Sequence, residues 1–200
     1  MKQKNSDRLQ TFYKWWLPVY KILNIRMRSN YRAALPAILE RMAISKETTV
    51  LDVGTGTGAL AGLLSEYTPN ITGIDFSIDM LNQAKITYGQ KIDFIHMPAH
   101  EIAKFGPESF DLVTSAFCLH DMNNEYRLTV LQEMQRVAAE KVVILDFPKT
   151  FNPVIRLIEL LEGSFYHDFV QQIDDQLNSV FSMVEEILFS NELIIYICDP

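Results

Sequence analysis

The sequence predicts an α/β fold: a doubly wound sheet of seven strands, mostly parallel, closed by an antiparallel C-terminal hairpin and preceded by N-terminal helices. Two observations carry this. Between Thr49 and Phe147, five short apolar runs alternate with helix-like stretches, the pattern of a parallel sheet covered on both faces. After residue 182, two β-like runs stand close together, joined by Ser190-Asn191-Glu192, as in a hairpin at a sheet edge.

Residues 1–45 read as a helical cap. Leu9, Phe12, Tyr13, Trp16 and Leu17 recur at helical spacing until Pro18 interrupts them. A second helix is expected from about Tyr31 to Met42, with Ala34, Leu35, Ile38 and Leu39 on one face and Pro36 leaving its start open. The core, residues 48–147, holds candidate strands Thr49–Val53, Ile71–Asp75, Ile92–Ile95, Phe110–Ser115 and Val142–Phe147. Helices are expected at Ala59–Tyr67, Ile78–Thr87 and Arg127–Val137, placed on the two faces by right-handed crossovers. Residues 151–180 read as a helical, aromatic-rich lid, and Met183–Phe189 with Leu193–Cys198 as the terminal hairpin (183–198). No repeat or Gly/Ser linker divides the chain, so a single domain over residues 1–200 is expected.

Composition narrows the function. A net charge of −7 argues against a nucleic-acid substrate, which calls for a basic surface. The exception is one basic stretch containing Lys14, Lys21, Arg26, Arg28 and Arg32. Cys118 and Cys198 form no CxxC or Cys/His spacing, so no metal is expected and both thiols read as reduced. The polar N-terminus lacks a signal-peptide pattern and no long apolar run is present, so the expected location is cytoplasmic. Nothing in the sequence sets an oligomeric state.

The most informative segment is VLDVGTGTG, residues 50–58. An apolar strand carries an acid, Asp52, then Gly54, Gly56 and Gly58 alternate with threonines before a helix. Glycines there allow a sharp turn and close approach of a ligand to the backbone, and the helix start favours a carboxylate or other anion. Gly54-x-Gly56-x-x-Ala59 also satisfies the dinucleotide fingerprint of dehydrogenases, and a ligand-free glycine turn is a third reading. Asp52 tips the balance. It occupies a strand position where dinucleotide folds have an apolar residue, and a carboxylate there suits a ligand bearing an amino group and a sulfonium.

With these residues in view, VLDVGTGTG resembles motif I of the class I S-adenosylmethionine-dependent methyltransferases. ITGIDFSIDML (71–81), FDLVTSAFCLHDM (110–122) and VVILDF (142–147) resemble that family's second, fourth and fifth strand motifs, so the likeness covers roughly residues 48–198. It implies a Rossmann-like fold and S-adenosyl-L-methionine as cofactor. It further implies that Gly54, Gly56 and Gly58, with Asp52 and Thr55, line the methionine portion. Asp75 would hold the ribose hydroxyls, and Phe76 and Met80 would pack on the adenine. Ser115 and Ala116, ending strand four, belong to the same set. The third motif departs from the family pattern. Met97 and Pro98 stand where relatives have Gly-Asp, leaving the adenine to backbone groups near Ala99 and His100, or to a side-chain contact from His100 or Glu101.

The segment WWLPVYK (15–21) resembles one that precedes the domain in small methyltransferases related to quinone and phosphatidylethanolamine methylation, with Lys21 in place of their aspartate. On that likeness Tyr20 is a lid residue at the cofactor's carboxylate and Trp16 faces the substrate. EGSFYHDF (162–169) resembles a lid that would bring Tyr166 and His167 to the acceptor, although aromatic packing onto the sheet accounts for Trp15, Trp16 and Phe165 equally well. His120, after strand four, is the candidate catalytic base or acceptor-orienting group, with helix capping and cofactor contact as its alternatives. Asp121 reads as a cap or turn residue, and Cys118 as packing. The run that marks DNA adenine methylation and the Pro-Cys nucleophile of cytosine methylation are both absent. The expected function is direct methyl transfer to a small acceptor. If that acceptor is lipophilic, the aromatic, basic N-terminal helix offers a peripheral membrane contact. A non-catalytic protein that binds the same cofactor and an NAD-type oxidoreductase are the alternatives.

Overall fold

The computed structural model describes residues 27–149 and 165–200. Helix α1 covers residues 27–39 and leads into β1 (Val50–Val53), α2 (Ala59–Leu64), β2 (Ile71–Asp75), α3 (Ile78–Tyr88) and β3 (Asp93–His96). A 3-10 segment at Ala99–Lys104 precedes β4 (Phe110–Ala116), and a 3-10 turn at Leu119–Asp121 precedes α4 (Asn124–Val137). Then come β5 (Ala138–Asp146), α5 (Tyr166–Val180), β6 (Met183–Ser190) and β7 (Leu193–Asp199). The seven strands form one sheet in the order β3-β2-β1-β4-β5-β7-β6. The first five strands run parallel, and β7 pairs antiparallel with both β5 and β6. The architecture is the Rossmann-like sheet with a terminal hairpin that the sequence predicts.

Strand alternation builds the two faces. Val50, Leu112, Val143 and Leu145 look toward α1, α2 and α3, where Ala34, Leu35, Ile38, Leu63 and Leu81 meet them. Leu51, Val53, Val113 and Ile144 look the other way, onto Val130 and Met134 of α4 and Phe169, Ile173 and Leu177 of α5. Helix α1 is already helical at residue 27 and runs through Pro36, ahead of the start at Tyr31 that the sequence suggests. The backbone bond lost at an interior proline is offset by burial of Tyr31, Ala34, Leu35 and Ile38. At its far end the Arg41 guanidinium grips Glu185 of β6 with both Nε (3.1 Å) and Nη2 (2.6 Å).

Two boundaries differ from the sequence reading for physical reasons. β5 leaves α4 directly at Ala138, four residues before the expected Val142. Its polar opening is carried by pairing: Ala138 faces Phe110, then a register shift brings Lys141 opposite Leu112. The cap of α4 is Asn123, whose side chain accepts from the Tyr126 amide at 3.0 Å, while Asp121 lies within the preceding 3-10 turn.

Arg127 on α4 is fully buried. Its Nε donates to Gln176 Oε1 of α5 at 2.6 Å, Nη1 to the Met122 carbonyl at 2.9 Å, and Nη2 to Asn124 Oδ1. The guanidinium also lies 5.4 Å from the centre of the Phe169 ring. Burial lowers its pKa to about 10, so the group stays charged at neutral pH. Arg127→Met retains much of the volume and none of the donors. It is expected to lower unfolding free energy by about 2–4 kcal/mol, read from the urea midpoint; an unshifted midpoint would remove this clip from the account of the α4–α5 packing.

Candidate functional site

The site lies at the carboxyl ends of β1, β2, β4 and β5. Strand β1 has β2 on one side and β4 on the other, so strand order reverses there, the place where open α/β sheets leave a crevice. The turn out of β1 is possible because Gly54, Gly56 and Gly58 all adopt positive φ, at 69°, 55° and 78°. Their surroundings differ. A Cβ on Gly54 would stand 2.2 Å from Cys118 Sγ, whereas one on Gly58 would press on Phe94 at 3.0 Å and Tyr88 at 3.1 Å. A Cβ on Gly56 would meet nothing within 4 Å. Two glycines therefore let the protein pack against itself, and Gly56 opens its backbone to space.

Two buried acids hold this loop. Asp75, ending β2, accepts from the Gly56 amide through Oδ2 and from the Ser77 amide through Oδ1, both at 2.8 Å. Asp52 accepts from the Thr55 hydroxyl through Oδ2 and from Thr114 through Oδ1, both at 2.7 Å. Burial pushes each carboxyl up to about 6, against the hydrogen bonds that favour the charged form. Asp52 is thus engaged on both oxygens by threonines of the loop and of β4, an anchoring that the sequence did not indicate.

Beyond β2, Met80 is buried and Phe76 partly so, with the Phe76 carbonyl accepting from His96 Nε2 at 2.9 Å. Ala99 opens the 3-10 segment. His100 is exposed and turned to Tyr126 of α4, its Nδ1 3.1 Å from the hydroxyl. Glu101 is paired with Lys104. At the end of β4 the Ser115 hydroxyl donates to the Val53 carbonyl at 3.0 Å and so ties β4 to β1, and Ala116 is partly exposed.

Past β4 the backbone of Phe117 takes φ 47°, an uncommon conformation for a bulky residue. It sets the Phe117 ring 4.8 Å from Phe147, 6.1 Å from Tyr31 and 6.5 Å from His120. Phe147 in turn packs edge-on against Tyr166. His120 is buried, with Nδ1 2.7 Å from Oδ1 of Asp146, the last residue of β5. Cys118 lies between the two groups of acids. Burial raises its thiol pKa first, followed by the charges of Asp75, Asp121, Asp146 and Asp52.

The structure thus brings Asp52, Gly54, Thr55, Gly56, Asp75, Ser115 and His120 to one end of the sheet. Tyr166 joins them through Phe147, its hydroxyl on the Pro148 carbonyl at 3.2 Å, while His167 next to it is exposed. Trp16 and Tyr20 lie outside the described residues. Asp146, Phe117 and Tyr31 were not anticipated. For Asp146 a signal existed: like Asp75 it is an acid that ends a parallel strand.

The sheet order, the glycine loop after β1 and the acid ending β2 define a Rossmann-like domain with a nucleoside-cofactor type of crevice. Comparison with known proteins narrows that class. Residues 50–141 match a family model described as a methyltransferase domain. The ubiquinone/menaquinone biosynthesis C-methyltransferase of Geotalea daltonii is 30% identical over 155 residues, covering 72% of this chain and 65% of that protein. A demethylmenaquinone methyltransferase of Staphylococcus aureus is 31% identical over 164 residues, 78% of this chain and 65% of its own length. The chain therefore spans slightly under two thirds of these relatives. A magnesium protoporphyrin IX methyltransferase from Synechocystis, solved with bound SAH, shares the fold at a TM-score of 0.68 with 16% identity, all of both chains being covered. The chain belongs to the class I S-adenosylmethionine-dependent methyltransferases.

The glycines separate experimentally. Gly54→Ala combines backbone strain with a clash on Cys118 and is expected to cost about 3 kcal/mol or more; Gly56→Ala carries strain alone, about 1–2 kcal/mol. Adding Cys118→Ala should recover part of the first loss and none of the second in a double-mutant cycle. Equal recovery in both backgrounds would contradict the contact.

Proposed function

We propose that the chain is a methyltransferase that binds S-adenosyl-L-methionine in the β1–β2–β4 crevice and passes the methyl directly to a small, partly apolar acceptor. The observation that carries this reading is the open backbone of Gly56 beside the Asp75 carboxylate. A Cβ would fill the space, and an acceptor group for a sugar's hydroxyls stands next to it. The residues fit such a cofactor. Gly54, Thr55, Gly56 and Gly58 would border its amino-acid end, with Asp52 behind them keeping that side negative. Asp75 would take the ribose hydroxyls, Phe76 and Met80 the adenine face, backbone groups at Ala99 and His100 the adenine edge, and Ser115 and Ala116 the floor. Once bound, the cofactor supplies a sulfonium-activated methyl group. The chain's own task is to align the acceptor, exclude water and, where the acceptor carries a proton, remove it.

The acceptor would lie past β4 and β5, against Phe117, Phe147, Tyr166 and His120. Rings on that side suit a flat or apolar acceptor. Two relatives whose names place them in quinone methylation support this class of substrate. Trp16, Tyr20 and His167 remain lid and acceptor candidates. An NAD-type oxidoreductase is disfavoured by the sheet: a dinucleotide fold has strand order 3-2-1-4-5-6 in parallel, whereas here antiparallel β7 separates β5 from β6.

Calorimetric titration of S-adenosylmethionine and its demethylated product tests the reading. The wild type is expected to bind both, with Asp75→Ala weakening binding more than tenfold, about 1.4 kcal/mol or more. Wild-type protein that fails to bind either ligand refutes it. Binding without turnover across a broad panel of acceptors would instead favour the non-catalytic alternative.

The pH dependence has a defined sign. With Asp75 raised to about 6, the folded protein holds its proton over a range where the unfolded chain, near 3.8, has released it. This group therefore makes the ligand-free protein less stable as pH rises from about 4 to 6. The ionised carboxylate accepts from both ribose hydroxyls and the neutral acid less well, so affinity should strengthen up to about pH 6 and level off above it. Below that point the Kd should rise as pH falls, by at most about tenfold per pH unit. A flat Kd between pH 5 and 7 would rule out this role for Asp75.

A further inference from the structure

We propose that Asp146 is the positioning residue for His120: it fixes the imidazole tautomer so that Nε2 is the nitrogen that takes the acceptor's proton. The inference rests on the proposed methyl transfer and adds the group that makes His120 a competent base.

Asp146 has no exposed surface. Its Oδ1 accepts from the Phe147 amide at 2.8 Å and stands 2.7 Å from His120 Nδ1. Its Oδ2 is buried with no hydrogen-bond partner among the described residues. A carboxylate only accepts, so the short contact places the imidazole hydrogen on Nδ1 and leaves Nε2 as the basic nitrogen. The ring cannot swing away, because Phe147 packs against it at 4.9 Å and Phe169 at 6.3 Å, with Phe117 at 6.5 Å.

Among the described residues, the titratable and charged groups on this side are Asp121 and Cys118 on its own loop and Asp146 on β5, with Arg127 of α4 and Tyr31 of α1 in the field of Asp146, and Tyr166 of α5 against Phe147. Asp121 Oδ1 lies 3.7 Å from Nε2. In the step itself, the acceptor's electron pair forms the new bond to the methyl carbon. The carbon–sulfur pair leaves with the sulfur, and the acceptor's proton passes to Nε2. The charge created on the ring is held by Asp146, an orienting carboxylate behind a base.

Long-range nitrogen–proton NMR of the histidine rings in the full chain, without acceptor, reads the tautomer directly. In the wild type the neutral ring is expected to carry its hydrogen on Nδ1. In Asp146→Asn, whose amide group can donate to Nδ1, the hydrogen should move to Nε2, with the cofactor Kd within about twofold of wild type. With an accepted methyl acceptor, kcat should drop at least about 100-fold while KM stays nearly unchanged. A wild-type ring protonated on Nε2 overturns the proposal without any variant. So does Asp146→Asn with an unaltered tautomer, or with an altered tautomer and undiminished kcat. Wild-type protein that turns over no acceptor counts against the methyltransferase reading instead, since the tautomer is measured independently of it.

Discussion

One carboxylate joins the parts on which the site depends. Asp75 ends β2, and its two oxygens accept from amides on different loops, Gly56 after β1 and Ser77 at the cap of α3. Neither loop can drift without losing a charge-assisted bond in a buried setting. Asp52 does the same one strand over, holding Thr55 against Thr114 of β4. The glycine turn therefore hangs between two acids, and the left-handed backbone of Gly54, Gly56 and Gly58 is a held conformation rather than a loose one. Keeping both acids buried raises their pKa values toward 6, the cost of placing negative charge where a polar ligand is to be met.

The other half of the site is built differently. Past β4 and β5 the walls are rings: Phe117, Phe147 and Phe169 pack around His120, with Tyr31 against Phe117 and Tyr166 against Phe147. Phe117 reaches its place only by a positive φ, and the Cys118 thiol that follows fills the space left by the missing side chain of Gly54. The two halves thus share one seam, where β4's exit loop leans on the turn after β1. An acidic, glycine-lined side and an aromatic side meet at that seam.

The fold was legible because its signals are local and periodic. Runs such as VLDV and ITGID state a buried strand by themselves, and the three glycines announce the turn. What stayed hidden depends on register. Thr114 meets Asp52 because β4 pairs with β1 at that position, and His120 meets Asp146 because β4 and β5 end side by side, although 26 residues separate the pair. The burial of Arg127 likewise depends on contacts distant in sequence, Gln176 of α5 lying 49 residues away. The start of β5 was missed for the same reason, its polar opening residues being made into strand by their neighbour.

The placement of β7 has a consequence for the order of assembly. β6 is synthesised first yet occupies the sheet's rim, and the strand made after it slots between β6 and β5. Before Leu193–Asp199 docks, β5 has an unpaired edge and β6 has no partner strand. Anything that unseats the second strand of the hairpin therefore frees β6 as well, so the rim of the sheet is held or lost as a unit.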